Sequence, residues 1–286
     1  MSSGFFQHLD FGAANGAVSG TLKATGGNWD DDASRDWDFS IGGTPDAKHG
    51  IVKATGSCTY MPSGATPSTV LNYGLRASVT SPTVTGLRFE GGTDAVAFRH
   101  DYAYINRLSL SGRIGESLSA SFDWMALQPS VIVVPAWQTL DTYAVYEWFH
   151  GTTTTVDGTS AMQMQSFEIT VENNLRIESD LDAGKVTNKK RWGQLCYCGS
   201  ERVTATITAI SMPATARLVM PLNDIPDATA TASIVFTNSA SQTLTIAMAN
   251  LALVGRAMPI TMPDATVIHT FRYEGKPNTA NTIAIT

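Results

Sequence analysis

SFEITVENNLRIESDLDAGKVTNKKRWGQLCYCGSERVTATITAI, residues 166–210, decides the fold. Phe167, Ile169 and Val171 recur with a period of two, and so do Val203, Ala205, Ile207 and Ala209. That period sends successive side chains to opposite faces, so both ends of the stretch read as half-buried strands. Between them, Arg176 to Gly199 is polar and without a strong pattern. An excursion of that length is well above the few residues usual for connections in compact domains, and such segments generally carry function or are disordered.

Outward from this stretch, composition points the same way. With 43% hydrophobic and 15% charged residues over 286 positions, the chain can bury one large core or two smaller ones, and two domains are expected. Thr, Ser, Ala, Val and Gly dominate while Lys and Glu are scarce, which favours strands and turns over long helices. Lys and Arg total 19 against 25 Asp and Glu, a net charge of -6, which argues against a surface that grasps DNA phosphates. The N-terminus MSSGFFQHLDFG lacks the basic and apolar regions of a secretory signal, and no run approaches the ~18 apolar residues of a spanning helix. No membrane partner is expected, and the setting expected is a cytosol. Three cysteines, Cys58, Cys196 and Cys198, are too few and too odd for a disulfide framework.

Residues 1–50 are rich in Gly, Asn and Asp (GAANGAVSG, GGNWDDDASRDWD, GGTPDAKHG) and read as loops and a mobile arm with short strands at Val18 to Ala24 and Trp37 to Ile41. Ile51 to Tyr60 alternates and ends at Met61-Pro62. A short helix follows, with Thr66 as N-cap, Pro67 in the first position, Val70 and Leu71 inward and Gly74 as the stop. The grammar returns later. Val203 to Ile210 ends at Met212-Pro213, and ATARLVMPLND forms a second helix candidate. Asn106, Leu108, Leu110, Gly112 and Arg113 resemble Asn250, Leu251, Leu253, Gly255 and Arg256, and Phe122 resembles Phe271, which together suggest a diverged tandem duplication. Between the halves, QPSVIVVPAWQTLDTY is apolar but broken by Pro129 and Pro135 and reads as a crossing segment.

Chemistry-bearing motifs are sparse. There is no G-x-S-x-G, H-E-x-x-H or P-loop, and Cys196-x-Cys198 has no second pair at zinc-site spacing, so ordinary thiols are the favoured reading and no cofactor or metal is expected. Asp30 to Asp32 lack the spaced ligands of a calcium loop and read as a solvated turn. Trp124 beside Asp123 and Trp148 beside Glu147 read as core anchors rather than part of a sugar cleft.

The order VDGTSAMQMQSFEITVENNL, polar loop, RVTATITAI, LTIAMANLALVGRAMPI, FRYEGKP and TIAIT resembles the tail tube (major tail) proteins of long-tailed bacteriophages, with Asn173-Asn174-Leu175 the most specific element. GTPDAKHGIVKATGSCTYMP and RLSLSGRIGESLSASFDWMAL match more weakly. The resemblance implies an all-β-dominated chain of two tandem tail-tube β-sandwich domains, each with one short helix, plus long loops and an N-terminal arm. The division expected is 1–139 and 140–286. It further implies a non-enzymatic virion subunit that self-associates into rings, trimers being the two-domain version of a sixfold ring, with DNA passing through the bore. Tail terminator, tape measure and distal tail proteins would be its partners. Arg176 to Gly199 and the arm through Asp36 are expected to reach the next ring, with Lys185, Lys189, Lys190, Arg191 and Trp192 as candidate inter-ring contacts. The basic run also fits DNA phosphates or a plain solvated surface. The rival reading is a two-domain β-sandwich adhesin or carbohydrate-binding virion protein.

Overall fold

The computed structural model describes residues 8–14, 16–38, 46–64, 67–75, 86–138, 144–156, 159–160, 163–178, 195–210, 230–257, 268–275 and 283–286. In chain order the strands are β1 (His8–Ala13), β2 (Val18–Thr21), β3 (Ala24–Asp38), β4 (Asp46–Tyr60), β5 (Leu87–Gly92), β6 (Ala97–Arg113), β7 (Ser119–Ile132), β8 (Gly151–Val156) and β9 (Thr159–Ser160). They continue as β10 (Gln163–Glu172), β11 (Leu175–Glu178), β12 (Leu195–Cys198), β13 (Arg202–Ile210), β14 (Ala230–Thr237), β15 (Thr243–Ala257), β16 (Ile268–Gly275) and β17 (Ile283–Ile285). A helix, α1 (Pro67–Tyr73), follows β4. All strands but β11 and β12 belong to one antiparallel sheet, and those two form a hairpin of their own.

The alternation read at residues 166–210 holds. Phe167, Ile169 and Val171 are buried on one face of β10, and Val203, Ala205, Ile207 and Ala209 on one face of β13. Full burial of side chains of this kind contributes about 1.5–3 kcal/mol for each large aliphatic or aromatic group. The sheet folds over on itself. Phe167 of β10 and Phe236 of β14 have ring centres 6.0 Å apart although β13, β16 and β15 lie between their strands. In the first half Phe89, Phe122 and Trp124 stack into the same continuous core. α1 runs as its sequence foretells, with Val70 and Leu71 fully buried and the Gly74 N–H closing the last turn on the Leu71 carbonyl. Its expected cap Thr66 and the second helix candidate after Pro213 lie outside the described residues.

Strand order repeats. The run β2-β1-β5-β6-β7-β4-β3 is matched by β9-β8-β14-β15-β16-β13-β10. Irregularities repeat with it. Tyr102 on β6 (φ 51°) and Asn250 on β15 (φ 55°) both sit in the left-handed region. The β6–β7 ladder slips between Ile105 and Arg107, and the β15–β16 ladder slips between Leu253 and Gly255. One constant offset therefore carries Tyr102 to Asn250, Ile105 to Leu253 and Leu108 to Arg256. Phe122 and Phe271 fall at matching places, opposite Leu108 and Arg256 respectively. The sequence pairing of Asn106 with Asn250 and Leu108 with Leu251 is thus out of register, because an alternating Leu-x-Leu motif matches itself at several offsets.

Two further expectations are corrected. From His8 onward the stretch read as an N-terminal arm through Asp36 is strand: β1 lies between β2 and β5 with Leu9, Asp10 and Phe11 buried, and β3 pairs with β4. Asp30 to Asp32 consequently lie in a strand and not in a turn. The crossing segment is described as far as Gln138. It extends β7 to Ile132, then returns to β1, where Trp137 stacks on His8 at 4.8 Å and the Gln138 N–H donates to Asp10.

Candidate assembly interface

Among the described residues the two seven-strand runs are hydrogen-bonded strand to strand at one place, where β10 adds to the C-terminal half of β6 from Ser166↔Arg113 to Glu172↔Arg107. β5 occupies the same edge of β6 at its N-terminal half, so this long strand serves both neighbours. The junction ends in a polar latch. The Asn173 side chain, fully buried, donates to the Gly74 carbonyl (2.8 Å) and the Ile105 carbonyl (3.0 Å), and its backbone N–H donates to the Asn106 carbonyl (2.8 Å). Asn174 adopts φ 48°, a conformation that Asn tolerates better than most residues, and turns the chain so that the Leu175 N–H reaches Asn106 Oδ1 at 2.7 Å. The Asn-Asn-Leu element singled out in the sequence is therefore the fastener of the central junction. Its partner Asn106 stood out in the sequence only as a landmark of the repeat, and its role in the latch is recognisable only once the β-bulge is seen.

Opposite the core, the same strands present a hydroxyl-rich face. Ser109 and Ser111 of β6, Thr170 of β10, and Thr204, Thr206 and Thr208 of β13 lie side by side by register. Asp30, Asp123, Glu168, Glu172 and Glu274 share this face with Arg107, Arg113, Arg202 and Arg272, so its described charges nearly cancel with a slight acidic excess. Glu172 faces Arg107 at 3.9 Å and Glu274 faces Arg202 at 3.3 Å. Exposed pairs of this kind contribute at most about 1 kcal/mol each.

Buried ionisable groups elsewhere are tied to structure. Trp124 Nε1–H donates to His100 Nδ1 (2.9 Å), which leaves Nε2–H to donate to Asp31 Oδ1 (2.7 Å), while Trp29 stacks on the imidazole at 3.8 Å. This chain of contacts fastens β3 to β6 and β7, and nothing in the local sequence foretold it. Glu90, almost wholly buried, is paired with Arg99 at 2.7 Å. Burial pushes the Asp10 carboxyl up, with the Gln138 N–H opposing it. Burial likewise pushes the Cys58 and Cys196 thiols up to about 12, which keeps them protonated and makes them poor nucleophiles and metal ligands near neutral pH. Among the described residues no group of three or more His, Cys, Asp or Glu side chains is placed to hold a metal ion. His150 Nδ1 accepts the Glu147 N–H. Trp124 is a core anchor, and Trp148 packs partly buried against Phe167 and Phe236.

The polar excursion begins and ends as the β11–β12 hairpin, in register from Leu175↔Cys198 to Glu178↔Leu195. Lys185, Lys189, Lys190, Arg191 and Trp192 lie outside the described residues. Among the described residues no helix is long and apolar enough to cross a membrane.

No curated protein matches the chain. The sequence profile of the family described as phage tail tube protein matches residues 9–281, nearly the whole length. Its span takes in both strand runs and the latch between them, which agrees with the all-β architecture and with the resemblance carried by Asn173-Asn174-Leu175. The chain belongs to the phage tail tube protein family, whose members are structural components of the virion tail.

Proposed function

We propose that copies of this subunit close head to tail into rings of three, each chain supplying two tube domains (1–139 and 140–286), and that stacked rings form the conduit through which DNA enters the host. The observation that carries this reading is the repeated strand order with bulges at matching positions. A chain built from two like units, joined edge to edge at β10 and β6, contains one contact of a pseudo-sixfold ring within itself. The hydroxyl-rich face suits the bore. DNA carries about one negative charge per 1.7 Å of axis and charge effects reach only ~8 Å at physiological salt, so a nearly neutral wall neither grips nor strongly repels it. DNA then slides without specific binding.

The excursion between β11 and β12 reaches the next ring through Lys185, Lys189, Lys190, Arg191 and Trp192. Its counterpart in the first unit is the far end of the β3–β4 hairpin, which gives each unit one such projection. Tail terminator, tape measure and distal tail proteins bound the tube, and assembly takes place in the host cytoplasm. Negative-stain microscopy with a solution mass tests the reading. Rings of 3 × 30.5 = 91.5 kDa, or tubes built of them, are expected. A ring of 6 × 30.5 = 183 kDa would overturn the two-domain count, and a persistent monomer with sugar affinity would favour an adhesin.

A further inference from the structure

The internal junction specifies what a second copy must do. Trp124 lies opposite Gly56, which lies opposite Trp29; at the matching place Tyr273 lies opposite Ala205, which lies opposite Ile169. β3 is therefore the counterpart of β10, with Asp31 standing where Val171 stands. β15 is the counterpart of β6, with Arg256 standing where Leu108 stands. Within the chain, Val171 pairs with Leu108. The counterpart contact is unmade: among the described residues no strand pairs with the outer edge of β3 over Asp30–Asp32, nor with β15 beyond Leu251 on the side away from β16.

Resting on the ring reading above, we infer that the ring closes through one antiparallel edge pair, Asp30–Asp32 of one copy against Gly255–Ala257 of the next, with Asp31 opposite Arg256. Three observations converge on this occupant. An open sheet edge is a template for another strand, and here each chain holds one edge of each kind, so a head-to-tail contact propagates and can close. The register sets a carboxylate residue opposite an arginine, Asp31 against Arg256, while Asp30 and Asp32 fall on the other face of the strand; Asp31 also accepts from His100 through one of its two oxygens. Val254, at the bulge that corresponds to Asn106, is 52% exposed beside the open edge and gains cover from the arriving strand.

Paired residues in such a ladder have Cα atoms about 4.5–5.5 Å apart, within the disulfide range. The test uses the full chain in a Cys196→Ser, Cys198→Ser background, which leaves the buried Cys58 in place. Asp30→Cys with Ala257→Cys, oxidised under assembly conditions, should give an intermolecular disulfide ladder that ends at the closed ring. Asn28→Cys with Ala257→Cys is displaced by two residues, to a diagonal Cα distance of about 7–8 Å, and should cross-link at least about tenfold less. Rings that form without the Asp30–Ala257 cross-link would overturn this edge pair and leave the ring reading standing. Equal cross-linking of both pairs would overturn the register. Failure of the background protein to form rings at all would overturn both readings.

Discussion

Replacing Asn173 by Ala should destabilise the junction between the two strand runs. The substitution removes two hydrogen bonds, of 2.8 and 3.0 Å, from a side chain with no exposure, and leaves the carbonyls of Gly74 and Ile105 to find other partners in a dry site. A typical intramolecular hydrogen bond is worth about 1 kcal/mol net, and a buried acceptor left unmade costs about 1–3 kcal/mol. Partial relaxation of the two carbonyls brings the expected total to about 2–4 kcal/mol. The backbone N–H of residue 173 still reaches Asn106, so the register of β10 on β6 should survive. Urea unfolding of the isolated chain, followed by far-UV circular dichroism, measures the change. With a slope of roughly 3 kcal/mol per molar urea for a chain of this size, the midpoint should fall by about 1 M. Asn174→Gly serves as the control, since Gly adopts φ 48° without penalty and only an exposed bond to the Ser200 carbonyl is lost. An Asn173→Ala midpoint indistinguishable from that of the parent protein would refute the latch.

Other outcomes follow from the same contacts. His100→Leu leaves the buried Trp124 N–H without its acceptor and should destabilise the chain by about 1–3 kcal/mol in denaturant titrations, with a changed near-UV tryptophan signal; an unaltered spectrum would mean the imidazole is incidental. The Asp10 carboxyl has its pKa raised by burial in the folded state, so the folded chain binds more protons than the unfolded one between the two values. Its contribution is therefore fully present below the unfolded value and is lost as pH rises through the folded one. Asp10→Asn should flatten that loss in melting temperatures scanned across the acidic range, and a slope equal to that of the parent protein would contradict it. Replacing residues 179–194 by an Asn-Gly turn between Glu178 and Leu195 preserves the β11–β12 register and should leave folded rings that no longer stack, as seen by electron microscopy; tubes of ordinary length would remove the inter-ring role.

Legibility differed between elements for physical reasons. β10 and β13 were readable because each has one dry and one wet face, which writes a period of two into the sequence. α1 was readable because proline and glycine punctuate it. β3 was not, since GGNWDDDASRDWD has the composition of a turn; its strand state is imposed by pairing along the length of β4 and by the Asp31–His100 contact, both remote in sequence. β1 was missed for a related cause. Leu9 and Phe11 share one face, but Asp10 on the opposite face is buried as well, so no wet face marks the alternation, and the Gln138 N–H that Asp10 accepts comes from a segment far along the chain. The repeat was visible through Met-Pro and Phe landmarks, but its register was set by bulges that leave no residue-type signature.

The contrast between the two kinds of junction bears on why a chain would hold two units. Inside the chain, half-buried Asn106 and buried Asn173 meet in a polar latch; at the corresponding place of the proposed inter-chain contact stand Val254 and Ala33. The internal latch forms once, during folding, and its groups are never again returned to water. A junction made only on assembly faces a different balance, because polar groups hydrated in the free subunit must be stripped of water and re-paired within the interface. An exposed apolar side chain such as Val254 makes no hydrogen bonds to water that must be given up, and contributes about 25 cal/mol per Å² covered. In the proposed ring, linking the units in pairs also makes every second contact intramolecular, so that fewer free bodies need be gathered and less translational freedom is lost. Splitting the chain between the two runs would remove that advantage, and separately expressed halves should close into rings only at higher subunit concentration than the intact protein, as read by concentration-dependent sedimentation. Ring formation by the halves at the same concentration would show that the linkage has no thermodynamic role in closure.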